Sequence, residues 1–407
     1  MAKRITDKVT WVGKVDWELV YFHGRELSTK RGSSYNSYLI RDKKTVLLDT
    51  VWKPFDKEFV SELKREIDLK EIDAIVMHHN EIDHSGALPE LLREIPDVPI
   101  YCTKNGEAIL RGHYHQDWNF VNVKTGDELD LGDSKLIFIE APMLHWPDTM
   151  FSFLTGENIL FSNDGFGQHF ATESLYVEDQ CEALVQREAM KYYANILSPF
   201  NMLVHRKVKE IVGMQLPIRM ICPSHGAIWK GDPLRIVRNY LEWSDNYKEN
   251  RVTIVYDTMW NSTRRMAENI AAGIRETDPD TVVTLFNASK HDKNDIVTEV
   301  FRSKAVLVGS PTINNGFSYA ISGIMEMVQG MKVKGKKAAA FGSYGWSGEA
   351  AKKLSEWLAK AGFEILEDGL RCNWVPTEDN LADCRAYGRR IGEAVKNDTV
   401  KAPTGCP

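Results

Sequence analysis

The chain has 407 residues, 43% hydrophobic and 27% charged, which suits a soluble protein with room for two separate cores. Its 51 basic against 57 acidic residues give a formal charge of −6, which speaks against a nucleic-acid or anionic-membrane partner. No apolar run approaches the roughly 20 residues of a membrane span, and the opening MAKRITDKV lacks the apolar centre of a signal peptide, so a cytoplasmic protein is expected.

Residues 1–250 read as short strands broken by turns, with helices interspersed. Strands are predicted at Tyr35–Ile40 and Thr45–Asp49, forming a hairpin around the charged turn RDKK. A helix follows at Phe55–Glu66, then the apolar strand Ile72–Met77. That strand runs into HHNEIDHSG, which contains His79, Glu81, Asp83 and His84. Strand Ile100–Cys102, helix Glu107–Gly112 and strand Lys135–Glu140 come next. LHWPD then brings His145. Strands Met150–Leu154 and Ile159–Ser162 lead to Asp164 in SNDGFG. After helix Glu182–Leu197, strand Arg219–Cys222 ends at His225 in PSHG. This is a mixed, layered α+β domain rather than a βαβ repeat.

Any one of these seven residues alone is a loop histidine or a turn-capping aspartate. Together, at strand ends, four imidazoles and three carboxylates are enough to hold two metal ions with one carboxylate shared. The carboxylates favour iron or manganese over thiolate-rich zinc.

The rhythm changes at Arg251, after a predicted linker at Trp243–Asn250. Strands Val252–Tyr256, Thr281–Phe286, Ala305–Gly309, Lys337–Gly342 and Phe363–Leu366 alternate with helices that end near Ile274, span 292–301 and 319–329, and cover Gly348–Ala361 and Asn380–Lys396. Five strands alternating with helices over residues 251–407 describe an α/β doubly wound parallel sheet of flavodoxin size. Ligands bind such sheets beyond the carboxyl ends of the strands, and three loops fall there. The first is Thr258, Met259, Trp260, Asn261, Ser262 and Thr263. Its hydroxyls and amides at a helix N-terminus suit a monophosphate, and it lacks the G-K-[ST] of a triphosphate loop. The second is Pro311, Thr312, Ile313, Asn314, Asn315 and Gly316; the third is Ser343, Tyr344, Gly345, Trp346, Ser347 and Gly348. Small polar groups beside aromatics suit the edge and face of a flat ring, and FMN is expected.

The six cysteines form no C-x-x-C pair, so no iron–sulfur or rubredoxin-type module lies within this chain. Cys222 reads as core packing and Cys406 as part of a frayed tail. His78 alternates away from His79 and reads as structural; His23, His113, His115, His205 and His291 read as surface or packing residues.

With both halves in view, the sequence resembles the flavodiiron proteins, or A-type flavoproteins, and among them the rubredoxin:oxygen oxidoreductases. The H-x-E-x-D-H cluster, LHWPD, SNDxFGQ, PSHG and D-T-M-W-N-S-T occur in the family's order across essentially the whole chain. The resemblance implies a metallo-β-lactamase-like αββα domain at 1–250 followed by a flavodoxin-like FMN domain at 251–407. It implies one iron on His79, Glu81 and His145, a second on Asp83, His84 and His225, and Asp164 between them. His169 and Tyr193 are candidates to donate hydrogen bonds beside a bound substrate, and Trp146 and Trp346 to touch cofactors. The expected function is reduction of O2 to water, of NO to N2O, or both. Electrons would pass through FMN from rubredoxin or another separate low-potential donor. The resemblance also implies a head-to-tail homodimer or a homotetramer. The alternative is a two-metal hydrolase fused to a flavodoxin-like carrier; Glu81, where hydrolytic relatives usually carry histidine, disfavours it.

Overall fold

Short-range pattern and long-range pairing agree at the first hairpin. Tyr38–Arg41 and Thr45–Leu48 pair antiparallel, closing on Arg41 opposite Thr45. The computed structural model describes residues 2–333 and 335–398, so Cys406 lies outside the described residues. The chain divides into two compact units, residues 1–193 with 200–241, and residues 194–199 with 242–407.

The first unit is built on two sheets. The larger runs in the order Lys3–Arg4, Val9–Trp11, Tyr38–Arg41, Thr45–Leu48, Ile72–Val76, Ile100–Cys102, Phe120–Asn122. The smaller runs Glu128–Asp130, Lys135–Glu140, Met150–Leu154, Ile159–Asn163, Met220–Pro223. Tyr38, Ile40, Val46, Leu48 and Val76 of one sheet share a core with Phe138, Met150, Leu154, Phe161 and Cys222 of the other. Their alternates Leu39, Leu47 and Ile75 point away from that core yet are also fully buried. Apolar residues on both faces of a strand mean the outer face is covered too, which is the αββα arrangement.

The predicted strand Tyr35–Ile40 is two strands, Ser33–Tyr35 and Tyr38–Arg41, in different sheets. Asn36 breaks it: its backbone N–H donates to Ser224 O, and its side-chain amide to Pro223 O and Gly226 O. A periodicity of two cannot register a residue whose partners lie in a distant loop. The predicted helix Glu182–Leu197 is α-helical only to Tyr192, passes through a π-helical turn at Tyr193–Leu197, and is followed by a further helix at Asn201–Gly213.

The second unit is a parallel sheet in the order Val282–Asn287, Glu249–Tyr256, Ser303–Gly309, Lys337–Tyr344, flanked by Glu364–Ile365 and Leu370–Asn373. The expected fifth strand is thus two short ones, both paired with Lys337–Tyr344. The order is the 2-1-3-4-5 of flavodoxin-like sheets. Helices Ser262–Thr277 and Glu378–Lys396 pack backbone against backbone: a Cβ on Gly273 would meet Arg385 O at 2.0 Å, and one on Gly388 would meet Ile270 O at 2.1 Å.

Candidate metal centre and flavin pocket

The metal-binding candidates lie beyond the ends of strands of the first unit, Asp83 and His84 on the short helix Ile82–Ser85 and the others in loops. Ile72–Val76 leads to His79, Glu81, Asp83 and His84, Ile159–Asn163 to Asp164, and Met220–Pro223 to His225. Alternation sends His78 elsewhere. Its Nδ1 lies 2.7 Å from Asp49 Oδ2 and its Nε2 2.7 Å from Ser152 Oγ.

The structure brings His79, Glu81, His145 and Asp164 into one group, and Asp83, His84 and His225 into another, each with its ligand atoms within 4.8 Å of one another. Asp164 belongs to both by geometry. Its Oδ2 lies 3.0 Å from His145 Nε2 and 3.6 Å from His79 Nε2. Its Oδ1 lies 3.1 Å from His84 Nε2 and 3.5 Å from His225 Nε2. Glu81 Oε2 adds to the first group, 3.3 Å from His79 Nε2, and Asp83 Oδ2 to the second, 3.1 Å from His225 Nε2.

The donor set fits two cations. Asp83 and His84 are 3% and 0% exposed, yet both oxygens of Asp83 and both ring nitrogens of His84 make no hydrogen bond of good geometry; Asp83 Oδ2 and His84 Nε2 instead face other members of the cluster. Buried polar atoms without partners are costly, and converging ones are what a metal ion satisfies. Burial opposes charge on His79 and His84, but the surrounding carboxylates outweigh it, holding His79 well above its usual range and His84 at about 9. Burial likewise opposes charge on Asp164, and the imidazoles overcome it and push its pKa well down. Metal binding replaces such protons, because imidazole and carboxylate ligate in their deprotonated forms.

The imidazoles are held from behind. His79 Nδ1 lies 3.1 Å from Asp148 Oδ1, while Asp148 Oδ2 accepts from Asn80 N at 2.8 Å and Asn80 Nδ2 at 2.9 Å. His225 Nδ1 donates to Ser34 O at 2.7 Å. These contacts fix which nitrogen faces the centre. Asp148 stands in LHWPD three residues after His145, and the motif itself was the signal for it. His169 is buried beside His225, with ring centroids 5.0 Å apart, its Nδ1 3.0 Å from Ser33 Oγ and its Nε2 unpartnered. Burial, reinforced by His225, keeps it neutral. Tyr193 hydrogen-bonds Asn201 and packs on Tyr240, whereas its neighbour Tyr192 packs on both His169 and His225. Trp146 packs edge-on against His79 at 5.0 Å.

In the second unit, loops after successive strands surround a cavity of about 660 Å³. Met259, Trp260 and Ser262 line it from the first loop, Pro311, Thr312, Asn314 and Asn315 from the second, and Ser343 to Ser347 from the third. The other predicted positions shape the loops. Asn261 takes φ 66° at the cap of helix Ser262–Thr277, and Thr258 Oγ1 is buried without a partner. Thr263 lies beneath, its hydroxyl 2.8 Å from Ser343 Oγ. Ile313 and Gly316 bond each other across the turn, and Gly348 takes φ 80°. A fourth loop, Trp374–Val375, also lines the cavity, held by Asn373 Nδ2 donating to Gly345 O at 2.6 Å. Its strand Leu370–Asn373 alternates apolar and polar residues, a readable but short signal. Trp260, Trp346 and Trp374 are 86%, 87% and 62% exposed around this cavity, a fit for a planar ring awaiting stacking partners.

A buried His/carboxylate cluster able to hold two ions, in one chain with a flavodoxin-type sheet and its loop cavity, defines a metalloflavoprotein oxidoreductase. Residues 34–226 match the family model of ODP family β-lactamases, and residues 254–388 that of flavodoxins. An anaerobic nitric oxide reductase flavorubredoxin of Klebsiella pneumoniae is 52% identical over 96% of this chain and 81% of its own length. The rubredoxin oxygen:oxidoreductase of Desulfovibrio gigas superposes with TM-score 0.94 at 35% identity, covering 97% of this chain and 99% of that one. The flavodiiron protein of Giardia intestinalis gives 0.92 at 32% identity, covering 97% and 96%. The chain belongs to the flavodiiron protein family.

Proposed function

We propose that this chain reduces O2 to water, NO to N2O, or both, with electrons delivered through FMN from rubredoxin or a similar low-potential donor. The observation that carries the reading is Asp164, whose two oxygens face two separate ligand groups. His79, Glu81 and His145 would hold one iron and Asp83, His84 and His225 the other, with Asp164 between them. FMN would lie among the four loops of the second unit, its phosphate at the N-terminus of helix Ser262–Thr277. With both cofactors bound the protein stores up to four electrons, two on the irons and two on the flavin, matching O2 + 4e⁻ + 4H⁺ → 2H2O and exceeding the two needed for 2NO + 2e⁻ + 2H⁺ → N2O + H2O.

The chain's own residues set the conditions for that chemistry. Asp148 and Ser34 hold His79 and His225 in one tautomer, so Nε2 faces the centre. The buried rings of His169 and Tyr192 pack against His225 and close one side of the centre. His169 keeps a neutral ring with one nitrogen free to hydrogen-bond an incoming molecule.

The exposed tryptophans around the flavin cavity, with Met259 and Val375, form an apolar patch of the kind that marks an interface. This supports a homodimer, or a dimer of dimers, in which each flavin serves the partner's irons. Among the described residues no helix is long and apolar enough to cross a membrane, and we place the protein in the cytoplasm. Metal and flavin analysis, with O2 and NO consumption compared under reduced rubredoxin, tests the reading. Two irons and one FMN per chain with turnover of either gas is the expected result. Two zinc ions per chain from iron-replete cells would overturn it in favour of a hydrolase. A mixed dimer of flavin-free and iron-free variants should regain partial turnover if electrons cross between chains, and a fully active monomer would refute that arrangement.

A further inference from the structure

His23 carries no metal-binding motif around it and reads in sequence as an ordinary surface or packing residue. The structure places it at the end of a small hairpin, strands Tyr21–Phe22 and Leu27–Ser28, at the mouth of the metal cluster. Its backbone is left-handed, φ 51°, which is uncommon for a residue other than glycine and persists where surrounding structure demands it. Two contacts account for the conformation. The preceding side chain, Phe22, is buried against His169 and His225, with ring centroids 5.1 and 6.1 Å away. The left-handed turn then directs the His23 ring back to Glu81, where Nε2 lies 2.5 Å from Oε1.

Glu81 is divided between two tasks. Oε1 accepts from His23, while Oε2 faces the imidazoles of His79 and His145 at 3.3 and 3.5 Å. The main chain of Glu81 cannot adjust, because its carbonyl accepts from the backbone N–H groups of His84 and Ser85 and from Ser85 Oγ. Only rotation of the side chain decides whether a metal ion meets one carboxylate oxygen or two. The bond to His23 turns Oε1 toward the hairpin, an orientation that opposes chelation by both oxygens.

We infer that His23 is a positioning residue that keeps Glu81 a one-oxygen ligand and so preserves an open position on the ion held by His79, Glu81 and His145. This rests on the ligand set proposed above. Four donor residues surround that position, and chelation by Glu81 would add a fifth donor atom where a diatomic molecule must bind. The hairpin therefore acts on reactivity without touching the metal, through the geometry of one ligand.

The test compares iron-loaded native, His23→Ala and His23→Gln proteins by crystallography and by azide titration followed in absorbance. Glutamine keeps an N–H donor of similar reach. One Glu81 oxygen should bond iron in the native and Gln proteins, and both oxygens in the Ala protein. Azide should bind His23→Ala about tenfold more weakly than native, with His23→Gln close to native. The inference is overturned by a single bonded oxygen in His23→Ala, by two in the native protein, or by unchanged azide affinity. Loss of iron from His23→Ala also overturns it, since a chelating carboxylate should hold metal at least as well. Native protein with no iron in the cluster refutes the ligand assignment itself, a separate result.

Discussion

The two cofactor regions solve opposite problems. Around the metal cluster every candidate ligand is 14% exposed or less, and the ligand atoms face one another across residues brought together from four separate segments of the chain. Around the flavin cavity the large side chains stand open, Trp260 and Trp346 at 86% and 87% exposure, and the loops are held mainly by neighbours in their own unit. Charge needs a rigid, dry shell to be held in a defined geometry, whereas a flat ring can be captured by surfaces that close on it. The metal region should therefore fail abruptly when one buried partner is lost, and the flavin region should weaken by degrees.

The largest expected effect is at Asp164. Asp164→Ala removes an oxygen from both ligand groups, and metal analysis should find both irons lost and turnover abolished. Retention of two irons would show that the two ligand groups do not depend on a common carboxylate. Next is Asp148→Ala, which leaves every ligand in place but frees the His79 ring. Iron affinity should fall about 10- to 100-fold, measured by chelator competition. In the flavin region, Ser262→Ala removes one hydroxyl from the proposed phosphate position. At about 1.5 kcal/mol for a charge-assisted hydrogen bond, FMN affinity should fall roughly tenfold by fluorescence titration. Abolished flavin binding would show that this region is as brittle as the other.

The smallest effect concerns pH and a corner of the first unit outside the metal cluster. Burial of Asp42 opposes its charge, but bonds from Ser134, Lys8 and the Asp133 and Lys43 backbone outweigh it and hold its pKa below the usual carboxylate range. The unfolded chain then binds a proton more readily than the folded one. The contribution is present above pH about 4 and is lost as pH falls through the folded-state value. Asp42→Asn should lower Tm at pH 7 and narrow that gap in progressively more acidic buffers, as thermal unfolding would show.

What was readable in sequence follows the same division. The ligand candidates announce themselves because each follows an apolar strand, and the order of flavin loops follows from alternating strands and helices. The pieces that were not readable depend on approach in space. His23 and Glu81 are 58 positions apart, and His79 and Asp148 are 69 apart. The break at Asn36 answers to Pro223 and Ser224, nearly two hundred positions away, and no local period records it. Tyr192 and Tyr193 differ by one position on a helix entering a π-helical turn, where the 3.6 period that assigns faces no longer holds.

The shared carboxylate has a consequence for assembly of the centre. With the ligand set proposed above, an ion in either position would fix the Asp164 side chain, and the other position would then receive a ligand already oriented, without the ordering cost of arriving first. By reciprocity each ion raises the affinity of its neighbour by the same factor. Iron titrated into metal-free protein at one equivalent per chain should accumulate as full and empty centres rather than as half-filled ones, and an iron-poor preparation should behave as a diluted sample of the complete protein.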